Sequence, residues 1–161
     1  MRSPFALPLV LATAVGCTSA PVTGAGGATV EFVVDGDTID VLIDGSEERV
    51  RLLGIDTPET RLDDGPPECY GPEATAFTTS LLPAGTAVRL ERDVVGRDDY
   101  GRLLAYVYRA DDGMLVNEEL IRQGYARPLR IEPNGVLADH FVAAAVAAEA
   151  AGVGLWAACG G

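Results

Sequence analysis

The stretch Val50–Glu59, V-R-L-L-G-I-D-T-P-E, constrains this chain more than any other. Val50, Leu52, Leu53 and Ile55 are apolar enough to read as a buried strand, yet Arg51 sits among them. Pro58 fixes its own backbone and pushes Thr57 out of helical conformations, so the strand ends in a turn. One cation and two carboxylates, Arg51, Asp56 and Glu59, are thereby displayed at the mouth of a rigid strand. A strand with only a structural role has little use for that set. Side chains of a regular strand alternate between faces, so Arg51 and Asp56 would point apart. For both to serve one site the strand must bend or end between them, and Gly54 is the place for it.

The flanking segments supply a barrel. Ala28–Val34 reads as a first strand, Asp35-Gly36 as a turn, and Thr38–Ile43 as a second strand. Asp44–Glu48 reads as a loop before the third strand, Arg49–Ile55. Tyr70–Leu82 reads as a helix, with Pro72 in its first turn and Glu73 at its positive end. Ala74, Phe77, Thr78 and Leu81 form its inner face. Ala87–Leu90 and Leu103–Tyr108 are the fourth and fifth strands, separated by the polar loop Val94–Gly101. Asn117 is placed to cap a helix over Glu118–Gln123 that Gly124 ends. Val136–Ala151 is an alanine-rich helix, after which Gly152–Trp156 turns back and Trp156 enters the core. There is no internal repeat and no second domain. Five strands in a meander-plus-return order with three helices imply an α+β, mainly β fold: a small barrel of the OB type.

The first residues differ from the rest. Phe5–Val15 is apolar but too short to span a bilayer, and reads as the apolar core of a secretory signal. It ends A-V-G-C, similar to the lipobox of bacterial lipoproteins, although Ala14 stands where leucine is commoner. Residues 1–16 are therefore expected to be a lipoprotein-type signal peptide, with Cys17 lipidated; a plain signal cleaved nearby is the alternative. Residues 17–27 would be a flexible tether and residues 28–159 the folded domain. With Cys17 lipidated, Cys69 and Cys159 remain, and two cysteines in an exported chain suggest a disulfide. Two buried free thiols are the alternative.

Charge bears on partners. The chain carries 24 acidic and 12 basic residues, a net charge of −12, and every base is arginine. Such acidity lowers the affinity expected for a phosphate backbone but does not exclude a local basic site. A hairpin of strands two and three centred between Ser46 and Glu47 would set Asp37 opposite Asp56. Facing residues have Cβ atoms about 4.5–5.5 Å apart, where like charges are unfavourable unless a cation lies between them. Carboxylate and carbonyl oxygens suit calcium. The competing reading is that Asp35-Gly36-Asp37 is turn chemistry and Asp56 caps a turn. An EF-hand loop is excluded, since Asp40 and Ser46 occupy its sixth and twelfth positions. Arg102, after Asp98-Asp99-Tyr100-Gly101, would make with Arg51 a two-guanidinium clamp on a phosphate.

Five segments in order, D-G-D-T (35–38), R-L-L-G-I-D-T-P-E (51–59), Y-G-P-E-A (70–74), D-Y-G-R-x-L-A-Y-V-Y (99–108) and V-N-E-E-L-I-R-Q-G-Y-A (116–126), resemble the staphylococcal nuclease (thermonuclease) family. The resemblance covers about Ala28–Trp156. It implies a five-stranded OB-fold barrel with three helices and a monomeric, calcium-dependent phosphodiesterase acting on DNA and RNA and leaving 3′-phosphate ends. It also implies roles. Asp37 and Asp56 match carboxylate ligands of one Ca2+, and Thr57 matches a carbonyl ligand. Glu59 matches the proposed general base, Arg51 and Arg102 the phosphate-binding arginines, and Tyr100 a residue of the nucleotide pocket. The chain departs from the best-known member in the acidic loop Thr60–Glu68, where Asp63, Asp64 and Glu68 face one Arg61. It departs again at Asp99, which replaces a lysine, and at Leu129–Glu132, where two pocket tyrosines have no counterpart. His140 reads as a solvated helix residue. The alternatives are a non-catalytic OB-fold module that binds nucleic acid or another ligand, and a structural envelope lipoprotein. Retention of Arg51, Glu59 and Arg102 favours the enzyme.

Overall fold

The computed structural model describes residues 27–60 and 65–160. The signal peptide, Cys17 and nearly all of the tether lie outside these residues, as do Arg61, Asp63 and Asp64. In chain order the elements are β1 (Ala28–Asp35), β2 (Thr38–Ile43), β3 (Ser46–Leu52), β4 (Ile55–Asp56), α1 (Gly71–Leu81), β5 (Ala87–Glu91), β6 (Leu103–Arg109), α2 (Val116–Arg122), β7 (Arg127–Pro128), α3 (Ala138–Ala151) and α4 (Leu155–Ala158). Five strands close a barrel in the order β1-β2-β3-β6-β5, with β3 and β6 parallel and β1 sealing against β5. This is the OB-type α+β architecture, with three substantial helices and a short fourth. Alternation puts Val30, Ile39, Val41, Val50, Leu52, Val88 and Ala105 inside the barrel, all buried. Register shifts in β1 after Val30 and after Val33 give that strand the curl that closure requires. Among the described residues no helix is long and apolar enough to cross a membrane.

The β2–β3 hairpin corrects the sequence reading. Its turn is Asp44-Gly45, at φ 51° and 82°, and both residues adopt the left-handed conformation that a two-residue hairpin turn demands. Ile43 therefore pairs with Ser46 and Thr38 with Arg51. Asp37 does not lie opposite Asp56; its carbonyl accepts the Leu52 N–H at 2.8 Å. The third strand also stops earlier than its apolar run suggests. Leu53-Gly54 turns, with Gly54 at φ 79° and the Phe141 ring packed where a Cβ would stand. The chain then returns as β4, which pairs with β7, Asp56 opposite Arg127.

Two further expectations change. Asn117 is not a helix cap: it lies within α2, whose flanking residue is Leu115, and is fully buried. Its side chain accepts the Val107 N–H (2.9 Å) and donates to the Leu53 carbonyl (2.8 Å), satisfying two backbone groups that the bend and the end of the β3–β6 pairing leave over. Trp156 is half-buried, with the Arg127 guanidinium stacked 4.3 Å from its ring centroid. Cys69, just before α1, and Cys159, just after α4, form a disulfide with a Cα–Cα distance of 5.8 Å. It spans 90 residues, and cross-links of that length are worth about 4–5 kcal/mol in the chain-entropy model.

Candidate active site

Arg51 is 7% exposed, and three of its four side-chain bonds bear on the bend at Gly54. Nη1 donates to the Leu52 carbonyl (3.0 Å) and the Ile55 carbonyl (2.9 Å), which straddle the turn. Nη2 reaches Asp56 Oδ1 at 2.9 Å and Asp37 Oδ2 at 3.0 Å. The guanidinium thus ties the bend together, and the bend brings Asp56 onto the same face as Arg51. Two carboxylates from different turns meet on one nitrogen.

Asp37 is buried and held on all sides. Its N–H donates to Asp35 Oδ1 (3.1 Å), and its Oδ2 accepts from the Thr57 N–H (2.9 Å) and the Thr57 hydroxyl (3.2 Å). The Thr38 hydroxyl donates to Oδ1 at 3.2 Å. Thr78 of α1 donates to the Gly36 carbonyl at 2.6 Å and pins the turn that carries Asp37. Burial pushes the Asp37 carboxyl up to about 6, against the lowering pull of Arg51 and the Thr57 N–H, with Asp35 and Asp56 adding to the rise. The Glu59 carboxyl is raised too, by burial first, then by Asp35, Asp56 and Glu68, against Arg51. Five carboxylates, Asp35, Asp37, Asp56, Glu59 and Glu68, therefore act on one another around one guanidinium, and the site has anionic oxygen to spare. Such hard oxygens fit a divalent cation. Among the described residues no three His, Cys, Asp or Glu side chains are grouped to hold a metal, so an ion at Asp37 and Asp56 would need backbone oxygen and water to complete its shell.

Glu59 is exposed, but its backbone is locked. Its N–H donates to Glu68 Oε2 (2.9 Å), and the Glu68 N–H donates back to the Glu59 carbonyl (2.9 Å). Gly71 packs so closely on that carbonyl that any Cβ would overlap it.

Arg102 sits in a different setting. Asp98 binds its Nε at 2.7 Å and accepts the backbone N–H groups of Arg102 (2.9 Å) and Tyr100 (3.0 Å). Burial opposes the Asp98 charge, but these hydrogen bonds outweigh it and hold the carboxyl below its usual range. Tyr100 is 87% exposed, with the Arg102 Cζ 5.4 Å from its ring centroid. Both line a cleft of about 790 Å3 together with Asp35 and Thr38. Thr38 pairs with Arg51 across β2 and β3, and Asp35 bonds to Asp37, so the cleft abuts the Arg51 pocket.

The structure therefore gathers Asp37, Arg51, Asp56 and Thr57 into one hydrogen-bonded cluster. It places Arg102 and Tyr100 on the adjoining cleft, and Glu59 within the shared field. Three positioning side chains escaped the sequence reading: Asp98, Thr78 and Glu68. Only Asp98 carried a readable signal, a carboxylate four residues before an arginine. His140 pairs with Glu118 at 3.1 Å on the exposed face of the helices.

A sequence model described as staphylococcal nuclease homologue matches residues 49–158. The chain belongs to this family. It is 46% identical over 105 residues to the thermonuclease of Staphylococcus intermedius, covering 65% of this chain and 61% of that one. It is 44% identical over 102 residues to the thermonuclease of Staphylococcus hyicus, covering 63% and 59%. To endonuclease YncB of Bacillus subtilis (strain 168) it is 42% identical over 115 residues, covering 70% and 53%. The matches thus span 53–61% of those relatives' own lengths. The staphylococcal nuclease match includes Arg51, Asp56, Thr57, Glu59 and Arg102; Asp37 precedes it and joins the cluster through the β1–β2 turn.

Proposed function

We propose that this member of the staphylococcal nuclease family is a calcium-dependent nuclease that hydrolyses phosphodiester bonds of DNA and RNA and leaves 3′-phosphate ends. The observation that carries the reading is the meeting of Asp37 and Asp56 on one Arg51 nitrogen, next to a cleft presenting a second arginine. Asp37, Asp56 and the Thr57 carbonyl would hold the ion. When bound, calcium supplies Lewis-acid stabilisation of charge on the phosphoryl oxygens.

The remaining chemistry belongs to side chains. Glu59 takes a proton from the attacking water, and the burial and neighbouring carboxylates that raise its pKa make it a better acceptor. In-line attack builds negative charge on the equatorial oxygens; the terminal nitrogens of Arg102, which is held through Nε alone, meet it, and Arg51 would add its Nη2 where Asp37 and Asp56 turn from it to the cation. Each such donor is worth about 2–4 kcal/mol in a transition state. Tyr100 offers its exposed ring to the nucleotide beside Arg102. Expulsion of the 5′ oxygen gives the 3′-phosphate end.

The reading extends to location. The apolar run Phe5–Val15 and the A-V-G-C sequence support export with a membrane anchor at Cys17, and the disulfide suits an oxidising compartment. The protein would act as a monomer. The test is incubation with plasmid DNA and with single-stranded RNA, with and without calcium, followed by sequencing of the ends. Calcium-dependent cleavage of both with 3′-phosphate ends is expected; intact substrates in saturating calcium would refute the proposal.

A further inference from the structure

The cleft that begins at Arg102 runs along the β2–β3 hairpin to Glu47 and Glu48. A nucleic-acid strand extending from a phosphate at Arg51 and Arg102 would next meet Arg49, which lines the cleft, and Arg97, which is bonded to its lining residues Glu48 and Gly101, and both are already engaged. Arg49 lies directly across the hairpin from Asp40 and forks onto it, Nε to Oδ1 at 2.8 Å and Nη2 to Oδ2 at 2.9 Å. Arg97 forks onto Glu48 at 2.9 and 2.7 Å while its Nη1 also donates to the Gly101 carbonyl at 2.6 Å. The side chains of Arg49 and Arg97 are about half exposed. Exposed pairs of this kind contribute about 0–1 kcal/mol to stability, so holding the fold together does not account for them. Their effect on a polyanion is larger. A phosphate that opened either pair would still face the released carboxylate, and Asp35 and Glu47 add more negative charge along the same wall.

The rest of the described surface offers little relief. Arg89 is paired with Glu91, Arg109 with Asp111 and Asp112, Arg122 with Glu119 and Arg130 with Glu132, while Arg92 and Arg127, which have no carboxylate partner among the described residues, do not line the cleft. The whole chain carries a net charge of −12. Affinity for long nucleic acid comes from many simultaneous cation–phosphate contacts, each releasing a counterion. Here the cations that would extend the path beyond the first phosphate are held by their own carboxylates.

We infer that Asp40 and Glu48 are specificity determinants: by holding Arg49 and Arg97 in forked pairs beside the cleft, they limit the footprint to about one phosphate and suit the site to short single strands. The inference rests on the phosphodiesterase reading for its substrate, but its test does not depend on turnover.

The test uses the full chain carrying Glu59→Gln, so that strands survive, and follows binding of labelled single-stranded DNA by fluorescence anisotropy across a salt series. Strands run from a tetranucleotide to lengths several-fold greater, and the unaltered chain is assayed on the same set for cleavage. A one-phosphate footprint predicts a slope of log affinity against log salt of about −0.7, at about −0.7 per phosphate of a single strand. Affinity should be nearly level beyond the shortest strands. Adding Asp40→Asn and Glu48→Gln frees both arginines, so the slope should steepen by up to about −1.4 and long strands should gain several-fold over short ones. A slope of about −4 or steeper before those changes would overturn the inference. So would a slope and a long-to-short ratio that the two substitutions leave unmoved. A shallow slope with no cleavage of any strand by the unaltered chain would support the footprint and refute the nuclease reading alone.

Discussion

The two arginines proposed to meet one phosphate, Arg51 and Arg102, are held by opposite means. Arg51 is buried in the barrel wall, and its two terminal nitrogens are bonded to two carbonyls and two carboxylates drawn from separate turns. Arg102 stands a third exposed on a loop and is steadied through Nε by one residue of that loop, Asp98. The first arginine is structure as much as chemistry: it closes the bend that creates its own site. The second is an arm whose terminal nitrogens reach the cleft. A site built this way has one fixed wall and one adjustable wall, and damage to each should look different.

The contrast breaks most visibly at Arg51. Arg51→Ala should abolish cleavage and also cost about 3–5 kcal/mol in denaturant unfolding, because it leaves the buried Asp37 carboxylate without its cation. A variant of wild-type stability would remove the structural half of the comparison. Next in size, Glu59→Gln should lower kcat by about 10²–10⁴-fold with the melting temperature unmoved, since Glu59 is exposed and its backbone carries its contacts. Arg102→Lys should follow, with kcat/KM down about a hundredfold and unfolding unchanged, because lysine cannot fork. A loss of stability matching that of Arg51→Ala would erase the distinction between the two walls. The smallest effect belongs to Asp98→Asn. Loosening the arm should raise KM roughly threefold to tenfold while kcat at saturation stays within about twofold.

How much of this the sequence disclosed depends on the range of the forces involved. The bend at Gly54 was legible because two local rules collided: strand alternation parts Arg51 from Asp56, and a glycine lies between them. The barrel was legible from apolar alternation and short turns. The hairpin register was not, because the turn at Asp44-Gly45 was absorbed into a longer loop and the pairing centre moved with it. Asn117 misled because an asparagine before two glutamates looks the same whether it caps a helix or answers a distant carbonyl. The Leu53 carbonyl and the Val107 N–H, which decide the matter, are far away in sequence or hidden inside a strand. Residue type alone places Trp156 in the core, and the Arg127 that covers it lies on another element. The forked pair of Arg97 with Glu48 spans loop and barrel across 49 positions, beyond any local pattern. Convergence of Asp37 with Asp56 was anticipated, but through facing positions in a hairpin rather than through a shared guanidinium.

The central claim is that Asp37 and Asp56, gathered on Arg51, form the cation site of the reaction. Thermal unfolding of the wild-type chain and of Asp56→Asn, each with and without calcium, tests it without relying on turnover. Asp56 is half exposed, so its substitution should leave the fold in place. A ligand that binds only the folded state raises its melting temperature. The account predicts a clear calcium-induced rise in the wild type that is largely lost in Asp56→Asn; an equal rise in both proteins, or none in the wild type, would contradict it.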